Sequence, residues 1–155
     1  MLAIATCNGS SNALGACPTP VAGSREGDMI DDLRDRAPFP ILYPCSLPAG
    51  QTLESVSVTG PAGRQQAEMV FVGPFDLTLR QAEFPPPVNP DPTGASRTLV
   101  DLQPNVRATF IQVNDGSSKA LYHLYWSMHG VYHELQAVGP PLQQRTILMI
   151  ARSLE

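Results

Sequence analysis

Ala120-Leu-Tyr-His-Leu-Tyr-Trp-Ser-Met-His-Gly-Val-Tyr-His-Glu-Leu-Gln-Ala137 is the stretch on which the fold turns. Two β-prone runs flank His129-Gly130, where the glycine supplies the positive φ that a tight turn needs. With a two-residue loop, Met128 faces Val131, Trp126 faces His133, Leu124 faces Leu135 and Tyr122 faces Ala137. The other face carries His123, Tyr125, Ser127, Tyr132, Glu134 and Gln136. A slip of one residue would bring Tyr132, Glu134 and Gln136 opposite the Trp126/Leu124 face, so the pattern selects the two-residue turn. One face meets water and the other packs on a core.

The rest of the chain supplies material to complete that sheet. Its 155 residues suffice for one domain with a single core. A hydrophobic share of 43% is that of a globular protein. Charged residues make up only 15%, and sixteen prolines place many segments at edges, turns and connections. A net charge of −4, with ten scattered Lys and Arg of which one is Lys, argues against nucleic acid as a partner. Phosphate binding needs a clustered positive field.

Cys7, Cys17 and Cys45 form no C-x-x-C pair, so neither a redox motif nor a zinc knuckle is indicated. Cys7 and Cys17 bracket a Gly/Ser/Asn-rich loop. In an exported protein they would form a disulfide and leave Cys45 over; otherwise all three are free thiols, with Cys45 partly buried. No apolar run reaches the roughly 20 residues of a membrane span. Met1-Leu-Ala-Ile-Ala-Thr-Cys7 reads either as the end of a lipoprotein signal or as an edge strand or plain terminus. Residues 1–26 are expected to be a flexible arm or tether, and 27–155 a single domain.

Within the domain, Gly27–Ala37 is a short helix candidate with Asp28 as N-cap, Met29, Ile30 and Leu33 on one side and Pro38 as the stop. Asp31, Asp32 and Asp35 read as its solvated face rather than a metal cluster. The proline-spaced run from Ala37 to Leu53 is an extended segment laid across apolar surface. Strands follow at Leu53–Val58, Ala67–Val72 and Phe75–Gln81, the last with Phe75, Leu77 and Leu79 to one side and Asp76, Thr78 and Arg80 to the other. Glu83–Gly94, which contains Phe84, is a proline-rich excursion, a docking segment or a rigid surface loop. Strands at Arg97–Asp101 and Val106–Val113 lead into the hairpin. An amphipathic helix over Leu142–Leu154 closes the chain.

The candidates for chemistry are His123, His129, His133 and Glu134. The hairpin register sends His133 to the face opposite His123 and Glu134 and leaves His129 in the turn, so three histidines cannot surround one ion. The sequence holds no G-x-S-x-G elbow, H-E-x-x-H, phosphate loop or dinucleotide fingerprint. No catalytic residue, cofactor or metal is assigned. A small hydrolase or metal-dependent enzyme using His123 and Glu134 is the alternative to a binding role.

Pro38-Phe-Pro-Ile-Leu-Tyr-Pro followed by Leu47-Pro-Ala-Gly resembles the PF-x-x-LYP-x-x-LP-x-G opening of a bacterial extracytoplasmic domain family. Trp126-x-x-x-Gly130-Val-Tyr and Ile147-Leu-Met-Ile-Ala-Arg-Ser-Leu154 are similar to its W-x-x-x-G hairpin and L-x-x-IA-x-SL final helix, with Ile147 for the first Leu; Gln81 matches a recurring Gln. The likeness spans roughly Pro38 to Leu154, and the proline-rich insertion at Phe84–Pro92 departs from it. It implies an outer module of lipoproteins or membrane-anchored regulators, related to anti-sigma-factor proteins and lipoprotein carriers. It therefore implies an exported, non-catalytic binding module in the bacterial envelope, with a membrane-associated protein as partner, or a lipid, and no catalytic residues.

The expected fold is α+β: a curved antiparallel sheet of about seven strands, with a short N-terminal helix and a C-terminal helix on one face. Its apolar face, with Trp126, Phe75, Leu77, Leu79 and Leu124, would hold an acyl chain or be filled by the C-terminal helix. The surface expected to meet a partner comprises His123, Tyr125, Tyr132, Glu134 and Phe84.

Overall fold

The computed structural model describes residues 20, 22–85, 87, 91–114 and 118–155. In chain order these form α1 (Arg25–Arg36), β1 (Thr52–Thr59), β2 (Gln66–Val72), β3 (Asp76–Ala82), β4 (Ala95–Gln103), β5 (Val106–Val113), β6 (Ala120–Met128), β7 (Val131–Gly139) and α2 (Gln144–Arg152).

The β6–β7 hairpin adopts the register that its side-chain alternation selects: Met128 opposite Val131, Trp126 opposite His133, Leu124 opposite Leu135 and Tyr122 opposite Ala137. His129 and Gly130 both take positive φ, +53° and +77°, the requirement of a type I′ turn. The seven strands form one antiparallel, curved, open sheet in the order β1-β2-β3-β7-β6-β5-β4. Two meanders, β1–β3 and β4–β7, are therefore joined where β7 docks on β3, with Leu79 opposite Leu135, Arg80 opposite Glu134 and Gln81 opposite His133.

The apolar face of the sheet and both helices share one core, which includes Phe71, Leu77, Leu79, Leu124, Trp126 and Leu135 together with Ile30, Leu33, Ile147 and Ile150. That face is filled by the protein itself. Burying each of the larger aliphatic side chains is worth roughly 1.5–3 kcal/mol, so the helices are held by their packed stripe more than by propensity.

α1 begins earlier than expected. Ser24, not Asp28, is its N-cap, accepting a hydrogen bond from the Gly27 N–H at 3.1 Å. Gly27, expected just ahead of the cap, lies buried in the first turn instead. Arg34 pairs with Asp31 and Arg36 with Asp32, as befits a solvated helix face. Ala37 is already extended ahead of Pro38.

α2 is shorter than the apolar pattern at both ends. The Tyr122 hydroxyl takes the Leu142 N–H at 2.8 Å and donates to its carbonyl at 3.1 Å, which keeps Leu142 out of the helix. At the other end Leu154 leaves the helix to bridge Pro44, and Tyr43 and Glu155 exchange backbone hydrogen bonds. The proline-spaced segment thus pairs with the C-terminus while Phe39, Ile41 and Tyr43 enter the core.

Cys45 follows directly, and it is disulfide-bonded. This corrects the expectation that Cys45 is a leftover thiol. Cys7 and Cys17, and the bridge expected between them, lie outside the described residues, as does the arm up to residue 19.

Candidate functional site

Alternation along a strand puts every second residue on the outer face, and cross-strand register lines these residues up in rows. One row runs Glu68, Arg80, Glu134, Tyr125, Thr109, across β2, β3, β7, β6 and β5. The next row includes Gln136 and His123. Glu68, Arg80, Glu134, Gln136, His123 and Tyr125 form one connected polar network.

Arg80 is its hub. Its Nε donates to Glu68 at 2.7 Å, and one Nη lies 3.3 Å from both Glu134 and Gln136. His123 Nδ1 sits 3.3 Å from the other Glu134 oxygen and 3.0 Å from the Tyr125 hydroxyl. With its proton on Nδ1 the ring donates to Glu134; with Nδ1 bare it accepts from Tyr125. The His123 and Tyr125 rings stack, with centroids 5.7 Å apart and planes 8° from parallel.

The electrostatics follow from this packing. Burial opposes the Glu134 carboxylate, but hydrogen bonds and charge from His123 and Arg80 together outweigh it and hold the carboxyl below its usual value. Burial likewise opposes the Arg80 charge, and Glu68 and Glu134 more than restore it. Burial first, and the Glu134 charge second, push the Tyr125 phenol up to about 12.

Of the expected surface, His123, Tyr125 and Glu134 come together here. Tyr132 and Phe84 lie at the rim, where with Arg80, Gln81, Gln66 and Ala82 they line a recess of about 10 Å³, room for no more than one water. Arg80 and Glu68 were not singled out in sequence. The outward alternation of Arg80 is visible in sequence, but the β3–β7 pairing that brings it to Glu134 is non-local.

The remaining histidines go where the hairpin register sends them. His129 is in the turn and His133 is on the core face, stacked on Trp126 with ring centroids 5.0 Å apart. Among the described residues no group of three His, Cys, Asp or Glu side chains could hold a metal ion. His133 is 1% exposed, and among the described residues neither ring nitrogen has a partner at hydrogen-bond geometry, the Met128 backbone being the polar influence that opposes burial. Burial, aided by the charge of His129 and opposed by the Met128 backbone, pushes its imidazole down to about 4.

Among the described residues no helix is long and apolar enough to cross a membrane. Comparison with protein-family models, curated proteins and solved structures finds no match.

Proposed function

We propose that this chain is an extracytoplasmic, non-catalytic binding module that sits beside a membrane protein, as an accessory subunit or an envelope sensor. The disulfide at Cys45 carries the reading. Structural disulfides persist in oxidising compartments and are rare where thiols are kept reduced. The resemblance of the Pro38–Gly50 and Trp126–Tyr132 motifs to an envelope domain family points the same way.

The outer face supports the binding role. Tyr125, Tyr132 and Phe84 stand around charged groups that already satisfy one another, on a rigid sheet. Tyrosine and phenylalanine are enriched at protein interfaces, which makes a protein the first partner to seek and a lipid the second. To test this, free thiols are alkylated in intact source cells without reductant, the cells are fractionated, and the native mass is measured. One free thiol among three cysteines, in an exported or envelope fraction, with the added mass of a second protein or a lipid, is the expected result. Three free thiols and a bare monomer in the cytosolic fraction would overturn it.

The 3.3 Å contact between His123 and Glu134 favours a second reading, a small hydrolase or metal-dependent enzyme. It requires a substrate beside His123, whereas the recess on this face includes Glu134 but not His123 in its lining and holds about 10 Å³. Screening ester and phosphoester substrates against the protein and its His123→Ala variant decides it. An activity lost in a folded variant supports the enzyme, and no turnover removes it.

A further inference from the structure

The two edges of the sheet are built differently. At the β1 edge, the Glu26 carboxylate takes the Leu53 N–H at 3.1 Å, Arg25 donates to the Glu54 carbonyl at 3.1 Å, and a bulge falls between Leu53 and Ser55. Such devices stop an edge from pairing with another chain. Among the described residues the β4 edge carries such a device only at its C-terminal end, where Arg152 donates to the carbonyls of Asp101 and Leu102. Nine residues long, it contains neither proline nor lysine, and its bulge is confined to the Asp101/Gln103 end. Leu99, at its centre, is 64% exposed.

We infer that β4 is a self-association edge: two copies of this chain pair antiparallel about a two-fold axis at Leu99, joining their sheets into one. The inference is independent of the binding role proposed above. It rests on the self-complementarity of Ala95-Ser-Arg-Thr-Leu-Val-Asp-Leu-Gln103. With Leu99 opposite Leu99 of the second copy, each Arg97 faces an Asp101 and each Thr98 faces a Val100.

Register within the sheet puts the complementary side chains on one face. Thr98 and Val100 lie opposite Phe110 and Ala108, which belong to the core, so Arg97, Leu99 and Asp101 are all on the outer face. The pairing therefore sets two exposed leucines against each other, flanked by two opposite-charge pairs. Within each copy Arg97 is held by Asp91 at 2.7 and 2.9 Å, and Asp101 lies 3.4 Å from Arg107. Across the junction the charges then run Asp91, Arg97, Asp101, Arg107, alternating in sign and crossing from one copy to the other. A shift of one residue in either direction separates Arg97 from Asp101, which fixes the register.

The backbone is oriented for this. The Ala95 N–H donates to the Pro92 carbonyl at 3.0 Å and so turns away from β5; by the alternation of an antiparallel ladder the backbone groups of Arg97 and Leu99 point outward too. At the bulged end Arg152 donates to the carbonyls of Asp101 and Leu102 at 2.7 and 3.0 Å, and each keeps a second lone pair. Pairing of this kind is isologous and closes at two copies.

The test is sedimentation equilibrium of the full chain over a wide concentration range, with circular dichroism as a check on folding. A reversible monomer–dimer equilibrium is expected. Arg97→Asp alone and Asp101→Arg alone each set like charges opposite each other twice, and each should raise the dissociation constant roughly tenfold. The double variant R97D/D101R restores both pairs and should restore dimerisation. A mixture of the two single variants should form the heterodimer in preference to either homodimer. Leu99→Lys should weaken every combination. A wild-type protein that stays monomeric throughout, or a dimer indifferent to all of these changes, would overturn the inference. So would a monomer whose β4 edge binds only an unrelated extended peptide.

Discussion

The side-chain amide of Gln81 brackets the backbone of Leu42: its Oε1 accepts from the Leu42 N–H at 3.0 Å, and its Nε2 donates to the Leu42 carbonyl at 2.7 Å. Gln81 is buried on the core face of β3 and extends the sheet's hydrogen bonding to a segment whose prolines bar it from becoming a strand. Replacing Gln81 with Leu keeps the volume and leaves a part-buried N–H and C=O without partners. The expected cost is about 2–3 kcal/mol in urea denaturation at neutral pH, with an unchanged m-value. A loss below about 0.5 kcal/mol would mean that water replaces the amide without penalty.

How much of this was legible in sequence depends on separation along the chain. The hairpin register was readable because Trp126 and His133 lie within one stretch and a one-residue slip would reverse its faces. The strand positions and the two helices followed from their periods. The Gln81–Leu42 bracket was not readable, since 39 residues separate the two. Neither was the hub role of Arg80, which depends on β7 docking against β3. The Ser24 cap is not legible because Asp28 offers an equally good capping side chain three residues after Arg25, and the low helix propensity of Gly27 is offset by its burial.

His133 should make the fold sensitive to acid. Its imidazole is held down to about 4 by burial, against an ordinary value of 6.5, so the unfolded chain binds more protons between those limits. The contribution is fully present above pH 6.5, is lost as pH falls from 6.5 through 4, and levels off below; 2.5 units correspond to about 3 kcal/mol. Glu134, whose carboxyl is also depressed, weakens the fold in acid in the same direction, so the comparison must be between variants. His133→Phe keeps a ring against Trp126 and removes both unpartnered nitrogens. Its stability advantage over the parent should grow as pH drops from 7 to 4.5. A constant difference across that range would show that His133 gains a partner when protonated.

Breaking the outer-face network at its hub should cost stability and loosen Tyr125. Arg80→Met leaves Glu68 and Glu134, both largely covered, without their guanidinium, for an expected loss of about 1–3 kcal/mol. Glu134→Gln removes a charge that raises the Tyr125 phenol, so ultraviolet titration should find one tyrosine ionising at lower pH in that variant. An unchanged titration curve would separate Tyr125 from Glu134.

The turn of the central hairpin is not optimal for its own geometry. His129 sits at φ +53° in the first position of a type I′ turn, a place where asparagine is strongly preferred before glycine. Its Cβ sits in the left-handed region, which disfavours any side chain other than that of Asn or Asp, and the residue is exposed at the tip. His129→Asn should therefore stabilise the fold by about 0.5 kcal/mol, seen as a higher urea midpoint with an unchanged slope. The gain should be additive with His133→Phe at neutral pH, where the His133 ring is neutral. It should become less than additive in acid, because the His129 charge is one of the influences that keep His133 neutral. An Asn variant that is less stable than the parent would mean that His129 makes a contact worth more than the turn's preference, and would mark the hairpin tip as a site with a role of its own.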